Sequence, residues 1–203
     1  DSLGFPQLPA APGFTFASDD SFSKTTSRLA LDYYWDAPTG TSLDSLLGYA
    51  AVSTGFKSGG YNAIAFGNPV VLQTVYGPET NRTYELGVKT DWLRRTVRVN
   101  AAAFLTDTDN LAANATVSSA FGPAFPVVNV GDARIRGLEL EASATPLRGL
   151  TLFANLTWQR GRYGSLIPGS APVIARATFR RAELPQLPDL AGSAGFTYST
   201  LAG

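Results

Sequence analysis

Apolar and polar residues alternate with a period of two over much of this chain. In TYELGVKTDW, Tyr84, Leu86, Val88 and Trp92 fall on one side, and Glu85, Gly87, Lys89 and Asp91 fall on the other. That is the pattern of a half-exposed strand. The same alternation sets Val97, Val99, Ala101, Ala103 and Leu105 against Arg98, Asn100, Ala102 and Phe104. It also sets Leu150, Leu152, Ala154, Leu156 and Trp158 against Thr151, Phe153, Asn155, Thr157 and Gln159. RLALDYYW places Leu29, Leu31, Tyr33 and Trp35 together, and GLELEASA separates Leu138, Leu140, Ala142 and Ala144 from Glu139, Glu141 and Ser143. With LLGYAAVSTGF and the weaker LAGSAGFTY, the pattern predicts about seven strands, over about 21–35, 43–57, 80–92, 96–110, 128–145, 150–163 and 187–200.

The links between these segments alternate in length. Asp36 to Ser42, Leu93 to Thr96 and Thr145 to Gly149 are short, whereas roughly 57–79, 111–127 and 163–186 are long. An up-and-down antiparallel sheet with tight turns at one end and extended loops at the other is the layout of an outer-membrane barrel. Crossing the hydrocarbon layer at a tilt takes about 9–11 residues per strand, more than the usual soluble strand. Trp35, Trp92, Tyr33 and Tyr34 precede short turns, as an interfacial aromatic girdle would. The fold expected is therefore all-β, an antiparallel up-and-down segment of a transmembrane β-barrel, with 1–20 as an external loop. A soluble β-sandwich binding module and a passive porin-like channel share the alternation and stand as alternatives.

Composition narrows the chemistry. The 203 residues contain no Cys and no His, with 16 Lys+Arg balancing 16 Asp+Glu. Thiolate and imidazole metal sites and Ser-His or Cys-His catalysis are thereby excluded within the chain, and no cofactor or resident metal is expected. Balanced charge gives no reason to expect nucleic acid as a partner. Ser58 to Pro78 and Leu111 to Gly131 carry no charge, but Asn, Ser, Thr, Gly and Pro interrupt both, so neither reads as a membrane-spanning helix. The N-terminal DSLGFPQLPAAPGF lacks the basic start and apolar core of a signal peptide.

Three stretches, TGFKSGGYNA (Thr54 to Ala63), PETNRTYELGVKTDW (Pro78 to Trp92) and VNVGDARIRGLELEASATPLRGLTL (Val128 to Leu152), together resemble the later barrel strands of TonB-dependent outer-membrane receptors. Pro78, Glu79, Tyr84, Glu85, Gly87 and Lys89 carry one of the family's patterns, and Asn129, Gly131, Gly137 and Glu139 carry another. The resemblance implies a barrel of about 22 strands in the Gram-negative outer membrane. It also implies a plug domain and a TonB-contacting segment, neither of which is expected within this chain, and import of a scarce nutrient, most often a ferric siderophore. No enzymatic activity is expected.

Two groups of candidate site residues follow. Glu85, Lys89, Asp91, Arg98, Glu139 and Glu141 are expected on the lumen wall facing the plug, with Asp91 and Arg98 paired across a tight turn at Arg94 and Arg95. The last long link holds Arg160, Arg162, Arg176, Arg180 and Arg181 against Glu183 alone. Arginine suits bidentate contact with carboxylates, phosphates or catecholates. Arg162, Arg176, Arg180 and Arg181 are therefore candidates for steering a small anionic ligand such as an iron chelate, or for touching lipopolysaccharide at the rim. At Lys57, a rim carboxylate or a lipid phosphate is the expected partner, and Gly59 and Gly60 are expected to turn the chain into a loop.

Overall fold

Each alternating segment becomes one strand of a single antiparallel sheet. The computed structural model describes residues 21–62, 75–114, 117–119, 122–166, 184 and 187–200. Its strands are β1 (Arg28–Asp36), β2 (Leu43–Lys57), β3 (Gly60–Tyr61), β4 (Val75–Tyr76), β5 (Glu79–Trp92), β6 (Val97–Asn114), β7 (Val117–Ser119), β8 (Gly122–Ala124), β9 (Val127–Leu147), β10 (Leu150–Leu166) and β11 (Leu190–Tyr198). The main sheet has seven strands in the order β1-β2-β5-β6-β9-β10-β11, so each strand neighbours the long strand before it in the chain. Each of β3-β4 and β7-β8 forms a separate small hairpin within a long link. The described residues contain no helix, and the sheet does not close on itself.

The strands depart from the expected bounds at particular places. Residues 21–27 precede the first strand, and only Ser27 joins the ladder edge, exchanging backbone and hydroxyl bonds with Thr54. The last strand begins at Leu190. By contrast β6, β9 and β10 run on to 18, 21 and 17 residues, well past the length needed to cross a bilayer. Residues 1–20 lie outside the described residues.

Register fixes the faces, because residues paired across a ladder point the same way. On one face Leu31, Ala50, Leu86, Ala103, Leu138, Trp158 and Leu190 line up through successive ladders. The opposite face carries Tyr49, Gly87, Ala102 and Glu139 in one row, and Ser45, Asp91, Arg98 and Ser143 in another. Tyr34 belongs to this second face, apart from Tyr33 and Trp35, and its hydroxyl donates to Asp36 at 2.8 Å. It is therefore not part of the expected girdle.

Among the described residues, nothing is folded against the apolar face. Among the described residues Val130 and Ala133 alone are buried hydrophobics, while Leu86 on a central strand is 65% exposed and Leu138 54%. Such an area of leucine is not tolerable in water on a monomer. A sandwich would require a second layer over it, and the described residues supply none. A lipid environment satisfies the face as it stands.

The turns at the short end are tight. Thr96 N–H donates to Leu93 C=O at 3.3 Å, enclosing Arg94 and Arg95 at φ 58° and 61°, with Leu93 also at positive φ. This is the left-handed geometry of a two-residue hairpin turn, occupied here by arginine rather than Asn-Gly. Asp44 supports it by accepting Arg95 N–H at 2.8 Å. At the other end, Lys57 meets Glu79 at 2.7 Å, so its partner is the rim carboxylate. Gly59 and Gly60 have no left-handed φ. Their value lies in close approach, since a Cβ on Gly60 would sit 2.6 Å from the Tyr76 hydroxyl and one on Gly59 would strike the Tyr76 carbonyl.

Candidate functional site

The polar face of β2, β5, β6 and β9 assembles a charged wall. The Tyr49 hydroxyl donates to Glu85 at 2.5 Å, and Lys89 Nζ lies 5.7 Å from the centre of the Tyr49 ring, within cation–π range. This ring can lie flat because its cross-strand partner is Gly87, where any Cβ would collide with it. The glycine of the YELGVK segment thus lets an aromatic side chain cover the sheet and carry its hydroxyl to the neighbouring carboxylate. Phe104 repeats the device over Gly137, where a Cβ would come within 2.6 Å of the ring.

One strand further, the Asn100 amide donates to Glu141 at 3.0 Å. That donor assignment leaves Asn100 Oδ1 buried with no partner among the described residues. A buried, unpaired acceptor costs on the order of 1–3 kcal/mol, so it is an address for a donor from elsewhere. Tyr49, Lys89, Asn100, Glu139 and Glu141 line a cavity of about 210 Å³ at this point. At the turn end, Arg98 grips Asp91 through Nε at 2.8 Å and a second nitrogen at 3.4 Å, and Ser45 donates to Asp91 at 3.2 Å. Glu85, Lys89, Asp91, Arg98, Glu139 and Glu141 therefore share one face, as the alternation predicts. Tyr49, Asn100 and Ser45 complete the network. Their signal was available in the same alternation, but each is neutral and so drew no attention as a charge.

Of the second candidate group, Arg162 alone falls among the described residues. Arg162 lies within β10 and not in a loop, paired with Arg134 on the face that carries the leucines. It does not reach the charged wall. Arg176, Arg180 and Arg181 lie outside the described residues. Among the described residues, no cluster of acidic side chains is suited to holding a metal ion.

A further network fixes the root of the long links. Asn129 accepts from Gly77 N–H at 2.6 Å and donates to Gly77 C=O at 3.0 Å and to Asn110 C=O at 2.8 Å. Asn110, at φ 61°, donates in turn to Pro78 C=O at 2.8 Å. The PE and N-x-G elements of the sequence, far apart in the chain, meet here.

An open sheet with one lipid-ready face, one charged face and long strand extensions is a transmembrane barrel wall. Comparison with known families agrees: residues 5–203 match the β-barrel of TonB dependent receptor-like proteins, and the chain belongs to that family. Proteins of this family reside in the outer membrane of Gram-negative bacteria. Among solved structures, the chain is similar to the ferric yersiniabactin uptake receptor FyuA from Yersinia pestis, with 19% identity and a TM-score of 0.57 over 82% of this chain and 22% of that one. It is similar also to the copper transporter OprC, with 19% identity and a TM-score of 0.57 over 84% of this chain and 24% of that one. At that identity the likeness is one of fold, and the chain spans about a quarter of either protein's length.

Proposed function

We propose that these strands form part of the wall of an outer-membrane transporter that imports a scarce metal nutrient, driven through TonB, with a ferric siderophore as the cargo. The observation that carries this reading is the charged wall around Glu85, Lys89, Asn100, Glu139 and Glu141, placed in a family of TonB-dependent receptors. Charges enclosed by a barrel need hydration or partners. Among the described residues, Glu85 and Glu141 accept hydrogen bonds only from neutral donors, the Tyr49 hydroxyl and the Asn100 amide, and the Asn100 carbonyl lacks a donor. A plug domain offering cationic and N–H groups answers all of them. Contacts of this polar kind hold a plug in place and exchange readily with water when it is pulled.

In the intact receptor, β1 and β11 would continue into further strands, because an unpaired edge in lipid leaves backbone groups unsatisfied at several kcal/mol each. Arg176, Arg180 and Arg181, with no carboxylate near them in sequence but Glu183, supply positive charge suited to a ferric chelate. Iron is favoured by the resemblance to siderophore receptors and by the neighbour that takes up ferric yersiniabactin, and the copper transporter marks the competing cargo.

The test is whole-cell uptake in a strain lacking the gene, complemented with the intact receptor, with and without a functional TonB complex. Accumulation of labelled ferric siderophore that requires both receptor and TonB supports the reading. Accumulation of copper alone would replace the cargo, and uptake independent of TonB would overturn the mechanism.

A further inference from the structure

Between the charged wall and the long links, the interior face changes character. Two ladder positions beyond Glu85 and Phe104, a row crosses four strands as Ser53, Thr83, Thr106 and Ile135. Two positions further lie Gly55, Asn81, Thr108 and Ala133. These rows carry hydroxyls and an amide where the wall below carries carboxylates. The Thr83 and Thr106 hydroxyls are 2.9 Å apart and share one bond, so the accepting member keeps its own proton for a further partner. Asn81 is exposed, and its amide lies across Gly55, where any Cβ would collide with it. Among the described residues, the side chains of Ser53, Asn81 and Thr108 have no hydrogen-bond partner.

The band turns apolar toward β9 and β10. Ile135 ends the hydroxyl row, Phe104 lies across Gly137, and Leu184 and Leu187 fill the space over Gly161, the ladder partner of Ile135. Positive charge is scarce on this stretch. Among the described residues it holds Arg28, on the edge strand, and Lys57, which Glu79 neutralises at 2.7 Å. Arg162 stands on the opposite face of the sheet. Nearer the turn end, Asp32, Glu85, Glu139 and Glu141 share the interior face with Lys89. An anion pressed against such a surface sheds water and gains little cationic contact in exchange. A neutral molecule with oxygen acceptors and an aliphatic flank gains hydrogen bonds from the hydroxyls and contact with the leucines.

We propose that the cargo this wall recognises is an uncharged ferric chelate of the hydroxamate class, whose singly charged ligand groups balance the ferric ion, and not an anionic chelate of the catecholate class. Thr83 and Thr106 are the specificity-determining pair, with Asn81 and Thr108 beside them and Phe104, Ile135 and Leu187 taking the aliphatic flank. The assignment deepens the siderophore reading above and rests on it. Arg176, Arg180 and Arg181 would still draw in a pendant carboxylate on such a chelate, because steering acts at a distance and does not decide what the wall touches.

The experiment measures equilibrium binding of iron-labelled chelates to the intact, purified receptor at low and high salt. The probes are a linear ferric trihydroxamate and a ferric tris-catecholate. Wild type is compared with T83V/T106V, which removes both hydroxyls while keeping size and β-branching, and with T83S/T106S, which keeps the hydroxyls and loses the methyl groups. Trihydroxamate bound about tenfold or more tighter than tris-catecholate, with an affinity that salt leaves unchanged, supports the proposal. So does a loss of about tenfold in T83V/T106V that is absent in T83S/T106S, since a merely structural role would not separate the two variants. Equal affinity in wild type and T83V/T106V overturns it, as does an equal loss in both variants. Tris-catecholate bound as tightly as trihydroxamate, or more tightly, overturns it while leaving the siderophore reading in place. If wild type binds neither probe, the siderophore reading falls and this assignment falls with it.

Discussion

Asn129 replaces a strand partner for Gly77. Its side-chain amide accepts that residue's N–H at 2.6 Å and donates to its carbonyl at 3.0 Å, imitating a ladder pair between residues 52 apart in the chain. A third bond, to Asn110 C=O at 2.8 Å, ties in the β6 bulge. Aspartate is nearly isosteric but cannot donate, so Asn129→Asp leaves two part-buried carbonyls unpaired and sets a charge beside them. We expect a loss of about 2–4 kcal/mol, read as a lower unfolding midpoint of the intact receptor in denaturant. Asn129→Ala should cost less, about 1–3 kcal/mol, because it adds no charge.

The glycine at 87 is a space reserved for Tyr49. Gly87→Ala displaces the ring, breaks the bond to Glu85 and removes the surface over which Lys89 lies. A cost of about 1–3 kcal/mol is expected from overpacking. Tyr49→Phe keeps the ring and loses only the hydroxyl, at about 1 kcal/mol. If the wall contacts a plug, both variants should also change TonB-driven uptake, with Gly87→Ala the more damaging in parallel transport and unfolding measurements.

The bidentate contact of Arg98 and Asp91 looks strong but is half open to solvent, the arginine side chain being 58% exposed and the aspartate 16%. Solvent screening holds its net worth to about 1 kcal/mol or less. A double-mutant cycle with Asp91→Asn and Arg98→Gln should return a coupling energy of that size. It should shrink in high salt, and a salt-independent coupling would show that the pair is more enclosed than the wall geometry implies.

Arg94 and Arg95 hold φ values that favour Asn and Gly. Replacing them as Arg94→Asn with Arg95→Gly should raise the unfolding free energy by about 1 kcal/mol through relief of backbone strain. Asp44→Ala should lower it by about the same amount, since Arg95 N–H then loses its acceptor. Both are checked by thermal unfolding, and neither should alter uptake.

Alternation carried most of the architecture. The faces of β5, β6 and β10 are legible because charge and leucine alternate there without interruption, and register then follows from keeping one face apolar. The small hairpins β3-β4 and β7-β8 are not, since each strand is only two or three residues long and sits in a charge-free run of Gly, Asn and Ser. Tyr34 misleads because aromatics adjacent in sequence suggest one girdle, whereas successive strand residues must face opposite ways. Arg162 misleads because a cluster of arginines after an apolar strand reads as a loop. Continuing the alternation past Trp158 through Arg160 to Arg162 places both on the outer face, and the same continuation below Tyr84 reaches Arg82. The Asn129 clamp depends on the bulge where Gly131 takes φ 145° and Asn110 φ 61°, which no periodicity records.

The central claim is that one face of this sheet meets lipid while the other lines the interior of a barrel. The chain contains no Cys, so single cysteines placed in it are unique within these strands. Spin labels at successive positions from Tyr84 to Trp92 in the intact receptor, reconstituted in bilayers, can be probed with oxygen and with a polar relaxant. The account predicts a period-two profile in which Leu86 and Val88 meet oxygen-rich lipid while Glu85 and Lys89 do not. A profile without that alternation, or one with Glu85 and Lys89 in lipid, would contradict it.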